Sequence, residues 1–379
     1  MISTHVCMVS AQAAPNLLPL LDDQMKPKEV ILLVTEQMKG RADHLRDVIK
    51  PTGVKVTVQP FLATGEFHSM QIQLETLISS YPEGSIALNV TGGNKWMAIT
   101  AQEVFRFNNQ PVFYVDIETD RILFVDSQRE PVALTARIKL KQYLQAYGYD
   151  VIGEQTSPSG LTDDQRNLCH YLVNFVDEWG GAIGQLNYLA SEAERKSTLS
   201  ISLTLLKTPD REFESLLKQC QGAGILSVDQ SRKQIAFADK QARFFANGGW
   251  LEEYVNSRLN ELKSEGLLQD SSHLNMKISS PNATNEVDVA FMAGNRLHII
   301  ECKTRRLTGP NAGSAGTESL YKLDSISELG GLATRSMLVS YRPLGSADKQ
   351  RATDLRIKVV EGLELRNIKS IMKAWIRGK

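Results

Sequence analysis

Between residues 1 and 126 the chain alternates short apolar runs with amphipathic stretches, and that rhythm leaves few folds open. The runs are His5-Val6-Cys7-Met8-Val9, Glu29-Val30-Ile31-Leu32-Leu33-Val34, Val54-Lys55-Val56-Thr57-Val58, Ser85-Ile86-Ala87-Leu88-Asn89-Val90 and Pro111-Val112-Phe113-Tyr114-Val115-Asp116. Strand–helix alternation of this kind predicts a parallel, doubly wound sheet covered by helices. Ligands of such sheets bind beyond the carboxyl ends of the strands. Two strand ends stand out, Val9-Ser10-Ala11-Gln12 and Asn89-Val90-Thr91-Gly92-Gly93-Asn94-Lys95-Trp96. In the second, two glycines lead straight into a helix whose free N–H groups suit a phosphate or ribose oxygen, with Lys95 adding a cation. It is neither a Walker A loop nor a G-x-G-x-x-G turn. The same residues also read as a tight βα turn with a solvated lysine.

A different signal lies near the other end. Asn285-Glu286-Val287-Asp288-Val289-Ala290-Phe291 and Leu297-His298-Ile299-Ile300-Glu301-Cys302-Lys303 read as adjacent strands, with Gly294-Asn295 suited to positive φ in the turn between them. Side chains alternate along a strand, so Glu301 and Lys303 share a face and Cys302 points away. Asp288 can converge with them. Two carboxylates and the Cys302 backbone carbonyl make a plausible oxygen cage for Mg²⁺ or Mn²⁺. Such an ion activates water and polarises a phosphate, while a lysine beside it stabilises charge. An edge-of-sheet salt bridge, with Asp288 capping the turn, accounts for the same spacing. Glu286 shares the face of Asp288 and stands as an alternative ligand.

Upstream, Gly249-Trp250-Leu251-Glu252-Glu253 opens a helix to about Lys263, with Leu251, Val255, Leu259 and Leu262 on one face. At 100° per residue Glu252 borders that stripe, as a metal ligand or supporting carboxylate would, and Glu253 falls on the opposite, solvated side. Either could equally be a first-turn acid favoured by the helix dipole.

The block Gly249-Trp250-Leu251-Glu252, then Asp288, then Glu301-Cys302-Lys303 resembles the PD-(D/E)xK, restriction-endonuclease-like superfamily, with Val287 where the motif has proline. Thr91-Gly92-Gly93-Asn94-Lys95 is similar to the ligand loop of CARF domains, the Rossmann-like sensors of cyclic oligoadenylate in type III CRISPR systems. The whole chain resembles the CARF-nuclease effectors called CRISPR-ancillary nucleases. The resemblance implies a metal-dependent endonuclease acting on DNA, RNA or both, with Mn²⁺ or Mg²⁺ as cofactor. It also implies a homodimer that binds cyclic tetra-adenylate as allosteric activator across its two-fold axis. Carried over by residue, the ligand would meet Thr91, Gly92, Gly93, Asn94 and Lys95, then Ser10, Ala11 and Gln12. Thr35, Glu36 and Thr64 to Glu66 would form the rim. Catalysis would fall to Glu252, Asp288, Glu301 and Lys303, with metal ligation by Asp288, Glu301, the Cys302 carbonyl and Glu252.

Three units follow: a Rossmann-like unit over 1–146, a winged-helix-like unit over 147–245 and a restriction-endonuclease-like α/β unit over 246–379. The middle unit follows a Ser157-Pro158-Ser159-Gly160 linker and predicts a helix capped by Thr162, a second near Leu186 to Ser197, a third from Asp210 to Gln221, and a hairpin of Ile225-Leu226-Ser227-Val228 with Gln234-Ile235-Ala236-Phe237. Its third helix, with Glu212, Glu214, Lys218 and Gln219, lacks a basic run, so a spacer or dimer support fits better than a DNA reader. A CARF-regulated transcription factor would use this unit but leave Asp288, Glu301 and Lys303 without purpose.

Forty-three basic and 43 acidic residues cancel, arguing against whole-surface nucleic-acid affinity. Local cations remain at Arg305, Arg306 and Lys322, after and beside the glycine-rich stretch 309–316, as candidate nucleic-acid contacts. Four scattered cysteines without a C-x-x-C pair suggest reduced thiols in a cytoplasm and no zinc site. No apolar stretch suits a bilayer, so no membrane partner is expected.

Overall fold

The computed structural model describes residues 2–61, 67–125, 129–156, 160–280, 283–307 and 314–378. Its first sheet holds β1 (Thr4–Met8), β2 (Glu29–Val34), β3 (Lys55–Pro60), β4 (Ile86–Asn89), β5 (Val112–Asp116), β6 (Arg121–Phe124) and β7 (Val132–Ala133) in the order β3-β2-β1-β4-β5-β6-β7. The first five are parallel, as the alternation predicts, whereas β6 and β7 add an antiparallel edge. Period-two alternation builds two cores. Val6 and Met8 pack with Met70, Leu74 and Met97 on one face, and Cys7 and Val9 pack with Leu17, Leu45 and Tyr143 on the other. The order reverses at β1 and β4, so the two predicted loops meet at the switch point of the sheet.

The strand β8 (Asp150–Thr156) corrects the predicted boundary at 147: it pairs with a strand of the C-terminal unit, not with the middle one. In the middle unit, Thr162 caps the helix Asp163–Asn174 through a capping box with Gln165. The second helix, Gly180–Arg195, starts earlier than predicted, and the third is Phe213–Gly222. The predicted hairpin, β10 (Leu226–Asp229) with β11 (Gln234–Phe237), gains a third strand, β9 (Ser200–Ser202). The linker residues 157–159, the rim candidates 64–66 and the loop residues 309–313 lie outside the described residues.

The third sheet joins β8 to β12 (His273–Ser280), β13 (Ala283–Ala293), β14 (Arg296–Lys303), β15 (Arg335–Ser340) and β16 (Lys358–Glu361), in the order β16-β15-β14-β13-β12-β8. β14, β15 and β16 run parallel and the rest antiparallel. Helices Trp250–Ser264 and Ile368–Ile376 contribute to the core on one side, and Ala315–Leu329 to that on the other. Gly294 and Asn295 take the expected left-handed turn, with φ of 55° and 54°. Asn295 also reaches into the first unit: its Oδ1 accepts from Ile138 N–H at 3.0 Å, and its Nδ2 donates to Asp120 Oδ1 at 2.9 Å. No helix among the described residues is long and apolar enough to cross a membrane.

Candidate active site and ligand loop

β13 and β14 part just after the pair Val289 and Ile300. Beyond it the Cys302 N–H donates to the Asp288 carboxylate at 2.7 Å. That bond fixes Asp288 beside the strand end. Lys303 Nζ then lies 2.5 Å from Glu301 and 3.5 Å from Asp288, and it donates to the Cys302 carbonyl at 3.2 Å. The predicted convergence of positions 288, 301 and 303 is therefore present. Glu286 is exposed and stands opposite Lys277 in the strand register.

Glu252 reaches the same place from the helix on the opposite layer. It is buried, and its Oε2 has no hydrogen-bond partner among the described residues. Burial, then the charge of Asp288, pushes its carboxyl well above the usual range, with Lys303 opposing and Glu301 adding. Asp288 is likewise raised, by burial and by Glu301, against Lys303 and the Cys302 amide. Burial alone would pull the Lys303 ammonium down, but Asp288 and Glu301 outweigh it and hold the amine above the ordinary lysine value. Three buried acids thus surround one lysine at this strand end, and a second lysine joins them: Lys322 Nζ bonds both oxygens of Glu301, at 2.9 and 2.8 Å.

Among the described residues no three carboxylate, imidazole or thiol groups are gathered as a ready metal cage, since ammonium groups stand on Asp288 and Glu301. The donor set nevertheless suits a hard divalent cation. It offers two carboxylates, the strand-end carbonyl, and a buried Glu252 oxygen that lacks a partner. An added cation would relieve the mutual repulsion of the three acids.

At the first sheet the loop is built differently. A Cβ on Gly92 would stand 2.1 Å from the Met8 carbonyl oxygen, and Gly93 takes φ of 75°. The glycines thus let the loop pack on β1. Thr91 Oγ1 accepts from Val115 N–H at 2.7 Å, so this hydroxyl is occupied inside the fold. Beneath, Asn89 Nδ2 donates to Pro15 O at 2.9 Å and to Asn16 Oδ1 at 3.2 Å, while Asn16 Nδ2 donates to Met8 O at 3.0 Å. This buried amide pair ties the two predicted loops together. Asn94 caps the helix Lys95–Phe107 by accepting from Met97 N–H at 2.9 Å, and Asn94, Lys95 and Trp96 face solvent.

Two family models account for most of the chain. The model of the Card1 CARF domain matches residues 4–143, and that of the Card1-like endonuclease domain matches residues 239–379. The chain joins a CARF domain to a Card1-like endonuclease domain. Its fold extends along whole solved proteins. Protein VC1899 from Vibrio cholerae is 27% identical with a TM-score of 0.86, over 99% of this chain and 98% of that one. Can2 from Sulfobacillus thermosulfidooxidans, solved in complex with cyclic tetra-adenylate, is 29% identical with a TM-score of 0.81, over 99% and 97%. A type III CRISPR defence DNA nuclease activated by cyclic oligoadenylate shares the fold, at 19% identity and a TM-score of 0.54 over 91% of this chain and 46% of that one. No curated protein matches the chain.

Thr35 is buried at the end of β2, and Glu36 pairs with Lys39 at 2.6 Å. Ser10 accepts from Gln12 N–H at 3.2 Å, and Ala11 is exposed. Gln12 turns to the endonuclease domain: its Oε1 accepts from Leu332 N–H at 3.2 Å, and Tyr143 hydroxyl donates to Gly330 O at 2.5 Å alongside. Glu253 corrects its predicted solvated position. It is buried, because the middle unit covers the face of the helix that the endonuclease sheet leaves open, and it lines a cavity with Leu161, Gln165 and Ile225. Arg305 and Arg306 are exposed just after β14. Lys322, expected as a phosphate contact, bonds Glu301 in this arrangement.

Three buried amides tie these parts together. Asn16 and Asn89 carried a signal, being amides beside apolar runs, a costly choice unless both are bonded. Asn187 carried none. With its amide nitrogen turned to the carbonyls of Ala246 and Ile183, at 2.9 and 3.2 Å, it accepts from Thr304 Oγ1 at 2.7 Å and pins the middle unit to the residue after Lys303.

Proposed function

We propose that this protein is a metal-dependent endonuclease, switched on by cyclic tetra-adenylate, that cuts phosphodiester bonds of DNA (by nicking), RNA or both in type III CRISPR defence. The observation that carries the reading is the meeting of Asp288, Glu301 and Lys303 at one strand end, in a chain whose other end is a CARF domain. Asp288, Glu301, the Cys302 carbonyl and Glu252 would hold Mg²⁺ or Mn²⁺, which when bound lowers the pKa of water and polarises the phosphate. Lys303 holds a proton-rich amine against the developing charge, its ammonium secured by the two acids. Arg305 and Arg306 offer positive charge to the flanking phosphates, with Lys322 available once Glu301 has another counter-charge.

The activator would lie across the carboxyl ends of β1 and β4, with Lys95 on its phosphates and Ser10, Ala11, Gln12, Gly92, Gly93 and Asn94 supplying backbone and amide contacts. A ring with two-fold symmetry suits a homodimer through the CARF domains. Trp96, Ile99 and Phe107, at 48%, 56% and 84% exposure along one helix, give that dimer an apolar surface to bury. Gln12 links the loop to the turn 330–332, which ends the helix bearing Lys322. A ligand that favours one arrangement of this contact shifts the nuclease by the difference in its affinities.

The test incubates labelled DNA and RNA with Mn²⁺ or Mg²⁺, with and without each cyclic oligoadenylate. Cleavage should require both metal and ring, and sedimentation should give a dimer. Cleavage in excess chelator would overturn the metal assignment, and cleavage indifferent to every ring would overturn the sensor.

A further inference from the structure

The middle unit supplies one wall of the nuclease cleft. Gly184, Asn187, Tyr188 and Ser191 recur at helical spacing on the helix Gly180–Arg195, and all four line a cleft of about 510 Å³ with Glu252 and Lys303. Asn187 is buried and clamps the helix to Thr304. Tyr188, one residue on, is 47% exposed. A Cβ on Gly184, one turn earlier, would meet nothing within 4 Å, so open space adjoins the tyrosine. The wall carries no formal charge, whereas the opposite side carries Lys303 and Arg305.

We infer that Tyr188 stacks a nucleobase of the substrate and so positions the strand whose phosphate lies at Lys303. The inference rests on the nuclease reading above. A charged wall would attract phosphates to both sides of the cleft, but a neutral wall with an exposed ring sorts the nucleotide: phosphate toward the cations, base toward the ring. Every base has a π face, so the contact tolerates sequence. The base must be unpaired at that position, because a paired base is covered by its neighbours.

The experiment compares the parent with Tyr188→Ala, Tyr188→Phe and Gly184→Leu on labelled DNA and RNA oligonucleotides, with cyclic tetra-adenylate and Mn²⁺. Tyr188→Ala should raise KM about tenfold, in the range of base–aromatic stacking, and leave kcat within about twofold. Tyr188→Phe should match the parent, since it keeps the ring. Gly184→Leu should raise KM with Tyr188 intact, by filling the adjoining space. Oligonucleotides with abasic nucleotides around the cut should bring the parent to the level of Tyr188→Ala and leave that variant unchanged. An unaltered KM for Tyr188→Ala, or an abasic penalty equal in parent and variant, overturns the stacking role alone. A parent that cuts no oligonucleotide overturns the nuclease reading beneath it.

Discussion

At the CARF strand ends the distinctive side chains turn inward: Gly92 lies on Met8, Thr91 takes the Val115 amide, and Asn89 and Asn16 close on each other. At the end of β14 the distinctive side chains turn toward one another, and what gathers is charge. One loop is held by shape and neutral hydrogen bonds, complete within the chain. The other strand end concentrates acids that repel in a buried place and are held by borrowed ammonium groups. The first arrangement needs no further partner for its hydrogen bonds, whereas the second would be relieved by an added counter-ion.

The sharpest way to break this contrast is at the charged end. Glu301→Ala or Lys303→Ala should lower cleavage by about 10²–10³-fold or more, the scale of losing a group that stabilises transition-state charge, with binding of cyclic tetra-adenylate unchanged by calorimetry. A variant that cuts like the parent would remove the site. At the neutral end, Gly92→Ala forces a methyl group onto the Met8 carbonyl. It should destabilise the CARF domain by about 1–3 kcal/mol, seen as a lower Tm. Full stability there would mean that β1 and the loop separate freely. Lys95→Ala should weaken cyclic tetra-adenylate binding by roughly tenfold, the value of one charge-assisted contact, without changing Tm in the absence of ligand.

The smallest effect concerns pH. Glu252 titrates higher in the folded chain than in the unfolded one, where a glutamate sits at about 4.3. The folded state therefore holds the extra proton in that window. Its contribution is complete below the unfolded value and is lost as pH rises through the folded one. In chelator, Glu252→Gln should gain stability on the parent as pH rises, by no more than about 1.4 kcal/mol per pH unit. Parallel denaturation curves would show that Glu252 is not strained by its neighbours.

Local rules carried much of the reading. Period-two alternation put Glu301 and Lys303 on one face and Cys302 on the other. Gly294-Asn295 announced its turn because positive φ at both positions suits few other pairs. Helical period separated Glu252 from Glu253 correctly in direction but not in environment: a helix has two sides, and the sequence cannot say that a second layer covers the outer one. The strand β8 escapes local pattern for a related reason, since seven residues that pair across more than a hundred positions look like a linker until their partner is placed.

What the chain's own order of residues determined is therefore everything that repeats over two to four positions: the strand–helix alternation, the side of the strand that carries the acids and the lysine, the caps and the turns. Those follow from backbone geometry, which acts on near neighbours. Only the tertiary structure decided which partner each charge meets, that Lys322 lies on Glu301, that Gln12 touches the turn at Leu332, and that the middle unit turns Tyr188 into the cleft. These are contacts between residues distant in sequence, set by how layers pack, and no local pattern encodes them.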